Sequence, residues 1–175
     1  MDKFKEFIVK KELTVNEKLS RAFIGLCAIS LAVTVMLFTL GSVLQLMGFM
    51  AAALCIYGGW KFICSFFVEY EYILTNFDLD IDKIINQAKR KRLCTIDLHT
   101  VTEIGIITED FGVQENETLI KATACNPELD NYYIRFDHKS LGKSVLVYTP
   151  SIEILDLIKE SCPRKVNDLL KKHEE

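Results

Sequence analysis

Two long apolar runs dominate the pattern of this chain. Residues 22–40 carry no charge, residues 46–68 carry only Lys61, and five residues separate the runs. A helix rises about 1.5 Å per residue, so either run is long enough for the roughly 30 Å of hydrocarbon in a bilayer. The pattern predicts a transmembrane helical hairpin over residues 22–68, with spans at about 22–40 and 46–66. Beyond Val68 the period changes to two. Glu69 and Glu71 alternate with Tyr70 and Tyr72 up to a turn at Thr75-Asn76, and Asp78, Asp80 and Asp82 then alternate with Phe77, Leu79 and Ile81. Five more alternating segments, at 93–98, 101–108, 118–124, 132–137 and 144–148, bring the expectation to seven short antiparallel strands in a meander. Pro150 then opens a helix with an apolar face of Ile152, Leu155 and Ile158, Ile154 lying at its edge. A last polar segment, 164–172, keeps Val166, Leu169 and Leu170 at helical spacing.

The residues before the hairpin, 1–21, are expected to form a cytoplasmic amphipathic leader, because Phe4, Phe7 and Ile8 fall at helical spacing among Lys3, Lys5, Lys10 and Lys11. A solvated leader is the alternative. Thr14 and Glu17 have the spacing of a capping box, which starts the first helix near Val15. Six Lys or Arg residues precede the first run and none lies in 41–45. The positive-inside rule then puts both chain ends in the cytoplasm, in a multi-pass protein of the cell membrane. Trp60, Lys61, Phe66 and Phe67 are placed as anchors at the membrane interface. Ala28 and Ala32, with Gly48 and Ala52, offer small faces for packing the two helices together. A cleaved secretory signal accounts less well for the first run, since a second apolar run follows it before any soluble segment.

Strands followed by one amphipathic helix are the order of a pleckstrin-homology-like (PH-like) barrel, in which the helix plugs an open end. The fold class expected is an α+β membrane protein: the hairpin, then a seven-stranded PH-like barrel or sheet over 69–175 with C-terminal helices. Residues 69–76 (EYEYILTN), 79–84 (LDIDKI) and 90–93 (RKRL) carry a resemblance to an uncharacterised bacterial family of small two-helix membrane proteins, a domain of unknown function. In its Tyr-x-x-x-Asn, strand and basic-segment layout the chain is also similar to bacterial PH-like domains that follow a membrane hairpin. The resemblance implies a cytoplasmic binding domain and transfers no catalytic residue.

Composition narrows the function. Half of the 175 residues are hydrophobic, and the net charge is −3. Residues 69–175 alone hold 14 basic and 20 acidic side chains, a balance that disfavours nucleic acid as a partner. The six cysteines are scattered without a CxxC pair, as in a reducing compartment. Asp78-x-Asp80-x-Asp82 opens like a calcium loop, but Lys83 and Lys89 stand where that loop needs Gly and Glu. His99 lies near Asp97 and Cys94, yet Cys94 belongs to the opposite strand face, and His138 and His173 lack partners at metal-ligand spacing. No metal or cofactor is implied.

The informative cluster is Lys89, Arg90, Lys91 and Arg92. If the first strand leaves the membrane and the second returns, these cations come back to the inner leaflet, where each gains on the order of 1 kcal/mol from anionic lipid. A solvated loop balancing the aspartates is the alternative. The expectation is a non-enzymatic membrane protein that displays a binding or scaffold domain to lipid head groups or to a protein partner of unknown identity. An accessory subunit of a transport complex and a membrane-anchored hydrolase or redox enzyme are the alternatives.

Overall fold

The computed structural model describes residues 4–108 and 111–162, so the expected helical segment at 164–172, and His173, lie outside the described residues. The chain divides into two units, Leu13–Val68 and the residues on either side of it. The first unit is a helical hairpin, α1 (Val15–Thr39) and α2 (Gln45–Cys64). Helix α1 starts where the capping box places it: Glu17 N donates to Thr14 Oγ1 at 3.4 Å and Thr14 N to Glu17 Oε2 at 3.0 Å. Both helices are long and apolar enough to cross a bilayer, with mean hydropathy of 2.3 and 1.5 over their best windows. Ala32, Gly48 and Ala52 are buried. A β-carbon added at Gly59 would lie 2.5 Å from that of Ala28, so the small residues form the seam along which the helices meet.

The second unit contains eight strands in two sheets rather than the seven-stranded barrel expected, among the described residues. One sheet has the order β1-β2-β3-β4, from Phe4–Lys10, Val68–Thr75, Asp78–Ile85 and Lys89–Asp97. The other has the order β5-β7-β8-β6, from Val101–Ile106, Tyr132–His138, Gly142–Tyr148 and Thr118–Ala122. Because β6 runs parallel to β8 at the far edge from β5, the second half is not a meander. The extra strand is β1. Instead of an amphipathic helix on a membrane surface, Phe4–Lys10 pairs antiparallel with β2, from Phe4 opposite Thr75 to Lys10 opposite Glu69. The segment is seven residues long, too short to separate the helical spacing of Phe4, Phe7 and Ile8 from the two-residue period of Phe7 and Val9. Pairing with β2, some sixty residues on, decides between them. The hairpin is therefore an insertion between neighbouring strands, and its two chain connections leave from the Lys10–Glu69 end of the first sheet.

Alternation worked elsewhere. Tyr72, Leu74, Leu79, Ile81, Ile96, Ile104, Ile134 and Leu146 are fully buried between the sheets, and the α3 helix (Ile152–Ser161) closes the core with Ile154 and Ile158. Ile154, expected at the edge of the helix stripe, is buried, whereas Ile152 is exposed. Ser151 caps α3 by accepting from Ile154 N at 3.3 Å, and Lys5 of β1 forms an ion pair with Glu153. The Tyr72 hydroxyl ties the sheets together, donating to Ala122 O and accepting from Thr149 N at 3.3 Å. Burial raises the Tyr72 pKa, so the hydroxyl stays a donor at any ordinary pH.

Candidate functional site

The basic cluster is strand, not loop. A tight turn precedes it, with positive φ at Asn86 and Gln87 and Ala88 N donating to Ile85 O at 3.2 Å. Strand β4 then runs from Lys89, with Ile85 opposite Lys89, Ile84 opposite Arg90, Lys83 opposite Lys91 and Asp82 opposite Arg92. Between Asp82/Arg92 and Ile81/Cys94 the register shifts, leaving Leu93 as an extra residue in a β-bulge. The shift matters because a bulge reverses which side of the sheet the later residues face. With regular alternation Arg90 and Arg92 would follow Cys94 and Ile96 onto the core face. The bulge turns them instead onto the outer face, among the acids of β2 and β3.

There the two arginines are consumed. Arg92 Nε lies 2.9 Å from Asp82 Oδ1 and its Nη1 2.8 Å from Asp80 Oδ2, with Asp82 only 3% exposed. Arg90 Nη2 lies 2.8 Å from Glu71, whose side chain is 1% exposed. Glu71 is raised above the ordinary carboxylate pKa by burial first and then by its hydrogen bond with Glu6, against the lowering effect of Arg90. Asp80 also accepts from Thr95 Oγ1 at 2.6 Å. The acids of β3 are thus not a solvated row, since Asp82 is buried beneath Arg92. Lys83, Lys89 and Lys91 make no ion pair among the described residues, and they share the opposite face of the β3–β4 ladder.

At the open end of the hairpin, Trp60 and Lys61 occupy the last turns of α2, with Phe66 and Phe67 just past its end. Trp60 and Phe67 are exposed and the Lys61 ammonium is 6.0 Å from the Tyr57 ring. The Arg21 guanidinium sits 4.4 Å over the Phe67 ring. Lys18, Arg21 and Lys61 therefore crowd one end of the hairpin, and the turn at the other end carries no charge.

The second sheet holds a charged cluster that sequence reasoning missed. Arg135 Nη1 lies 2.6 Å from Glu103 Oε2, its Nε 3.1 Å from Glu117 Oε1, and its Nη2 donates to Gly112 O at 2.9 Å. Tyr133 donates to Glu103 Oε1 at 2.7 Å, and burial together with that bond pushes its pKa up to about 12. Phe111 stacks on Tyr133 with centroids 4.8 Å apart. The tyrosine ring crosses β5 at Gly105, where a β-carbon would come within 2.7 Å of it. A cleft of about 300 Å³ opens beside this group, lined by Glu103, Ile106, Phe111, Tyr133 and Arg135. Its arginine already has three protein partners, so the arrangement pins the Phe111–Glu117 stretch to the sheet. The only sequence signal was the residue types themselves; the ion pair joins positions 32 apart.

Among the described residues no hydrogen bond joins Cys94 to His99 as a nucleophile and its base. Cys94 is buried and its thiol is pushed up to about 12 by burial, the reverse of an activated nucleophile. His99 stacks on Phe77 at 4.4 Å on the exposed side. His138 Nδ1 accepts from the backbone of Ser140 and Leu141, each at 3.2 Å, which makes it a turn cap. No group of three metal-ligating side chains occurs among the described residues.

With this geometry in place, comparison with known families is decisive on one point. Residues 1–168 match the family described as Bacterial PH-like domain (DUF6106). The chain belongs to that family. No curated protein and no solved structure shows significant similarity to it. The PH-like match includes β1 and the helical hairpin, so the insertion lies inside the family's extent rather than in front of it. The family description assigns no activity.

Proposed function

We propose that this PH-like protein is a non-enzymatic integral membrane protein whose hairpin spans the bilayer, with both chain ends in the cytoplasm and the two sheets displayed at the inner leaflet as a binding or scaffold domain for lipid head groups or a protein partner. The observation that carries the reading is the site of insertion. The chain enters and leaves the apolar hairpin at adjacent strands, at Lys10 and Glu69, and Gln87 of the basic turn donates to that same Glu69 at 3.2 Å. The basic end of β3–β4 and the two membrane connections therefore share one end of the first sheet. The cations of α1 and α2 at the open end of the hairpin support the same orientation. An accessory role in a transport complex would draw on Lys61 and the small-residue faces; it has less support, because Ala32, Gly48 and Ala52 are buried, Gly59 meets Ala28, and the Lys61 ammonium lies 6.0 Å from the Tyr57 ring.

The test uses the full chain, since a fragment starting at Glu69 would lack the edge strand β1. Membranes containing the protein are washed at alkaline pH, and intact cells are treated with protease. Retention in the washed membrane and protection of the two-sheet domain in intact cells are expected. Release by the wash would end the spanning reading, and digestion of the domain from outside would invert the orientation.

A further inference from the structure

We infer that the lipid-binding face of this domain is the lysine triad Lys83, Lys89 and Lys91, and that its occupant is the phosphate-bearing surface of an anionic bilayer, while Arg90 and Arg92 serve the fold. The inference rests on the membrane reading above and sharpens it. Four consecutive cations look equivalent along the chain, but the bulge at Leu93 sorts them. Arg90 and Arg92 face Glu71, Asp80 and Asp82 and are neutralised there. Lys89 and Lys91 face the other way and are exposed. The register adds a residue from β3, placing Lys83 directly opposite Lys91.

Like charges facing each other across a ladder are unfavourable on their own, since side chains of opposed residues lie only about 5 Å apart. The triad has no carboxylate of its own among the described residues, whereas every other basic group on the first sheet's β4 strand does. A polyanionic surface is the complement of such a site, and two further features select a membrane over a soluble anion. Ile85 lies opposite Lys89, giving the patch an apolar component, and the turn that joins the strands is hydrogen-bonded to Glu69, where the chain emerges from the hairpin. Each lysine at an anionic surface is expected to favour docking by a factor of roughly five at moderate salt.

Lysine acylation footprinting of the full-length protein, in lipid discs of neutral lipid and in discs with roughly one-third phosphatidylserine, tests this. Lys83, Lys89 and Lys91 are expected to react at least threefold more slowly in the anionic discs, with Lys121, Lys139 and Lys143 unchanged and the protection lost at high salt, on the order of the factor above. Equal protection in neutral discs would assign the face to a protein contact and overturn the proposal, as would protection brought about in neutral discs by inorganic phosphate. Anionic lipid retained by K83Q/K89Q/K91Q but lost by R90K/R92K would overturn the lysine assignment and leave the membrane reading standing. Release of the wild-type chain by the alkaline wash would remove that reading itself.

Discussion

Arg92 and Arg135 occupy the two sheets of one domain, and each is held by a pair of carboxylates. Arg92 is gripped by Asp80 and Asp82 on the first sheet and remains about half exposed. Arg135 is gripped by Glu103 and Glu117 on the second and is 17% exposed. The surroundings differ more than the pairs do. Arg135 is also stacked against Tyr133 and Phe111 and bound to a backbone carbonyl, so its cluster is closed on itself. Beside Arg92, the bulge leaves Lys83, Lys89 and Lys91 on the far face of the same two strands, without an ion pair among the described residues. The comparison teaches that a basic residue is diagnostic of binding only after its neighbours' charges have been subtracted. By that measure Arg135 serves packing, whereas beside Arg92 three clustered lysines have no paired carboxylate among the described residues.

The largest effect expected is at Arg135. Its replacement by Ala strands Glu117, whose side chain is 5% exposed, and should cost about 3 kcal/mol in a denaturation midpoint measured in detergent. Arg92→Gln also strands a buried carboxylate, Asp82, but Arg92 is half exposed and its removal opens Asp82 to water, so about 1–2 kcal/mol is expected by the same measurement. The K83Q/K89Q/K91Q triple variant should stay within about 0.5 kcal/mol of wild type, because it removes no partner. If the triple variant destabilises as much as Arg92→Gln, the division of the basic cluster into structural and free cations collapses.

A smaller effect concerns pH. The Glu71 carboxyl is raised above 4.5, so the folded chain holds this proton more firmly than the unfolded chain. Its contribution to stability is complete below pH 4.5 and is lost as pH rises through the folded value. Unfolding midpoints of wild type and Glu71→Gln, followed upward from that pH to neutrality, should therefore converge or cross in the direction of relative wild-type loss. Parallel profiles would show that burial does not raise the Glu71 carboxyl. The smallest change expected is at the turn. Gln87 adopts a φ of +53°, which Gly tolerates better, so Gln87→Gly should gain about 0.5 kcal/mol net of its lost bond to Glu69. A clear loss would show that the bond matters more than the backbone.

Much of the architecture was visible before any coordinates. The start of α1 at Val15, the apolar face of β3 and the strands from Thr118 to Tyr148 follow from patterns within a few residues of each other. The misjudged parts share a different property. Phe4–Lys10 is a strand because β2 is there to pair with it, and the order β5-β7-β8-β6 depends on a parallel contact between β6 and β8 that no local pattern encodes. The motif residues Glu69–Asn76 and Arg90–Leu93 are joined through the Glu71–Arg90 pair, which spans 19 positions.

The sequence by itself determined the apolar hairpin, the change to a two-residue period and the capping box of α1, because each is set by side chains acting on their own backbone and on the solvent around them. Only the tertiary structure decided which cations are free. That choice turns on one extra residue, Leu93, which changes the parity of a strand, and on carboxylates brought across the sheet from β2 and β3. A charge is neutralised by whatever lies within a few ångströms of it, and in a sheet that neighbour is set by register rather than by position along the chain.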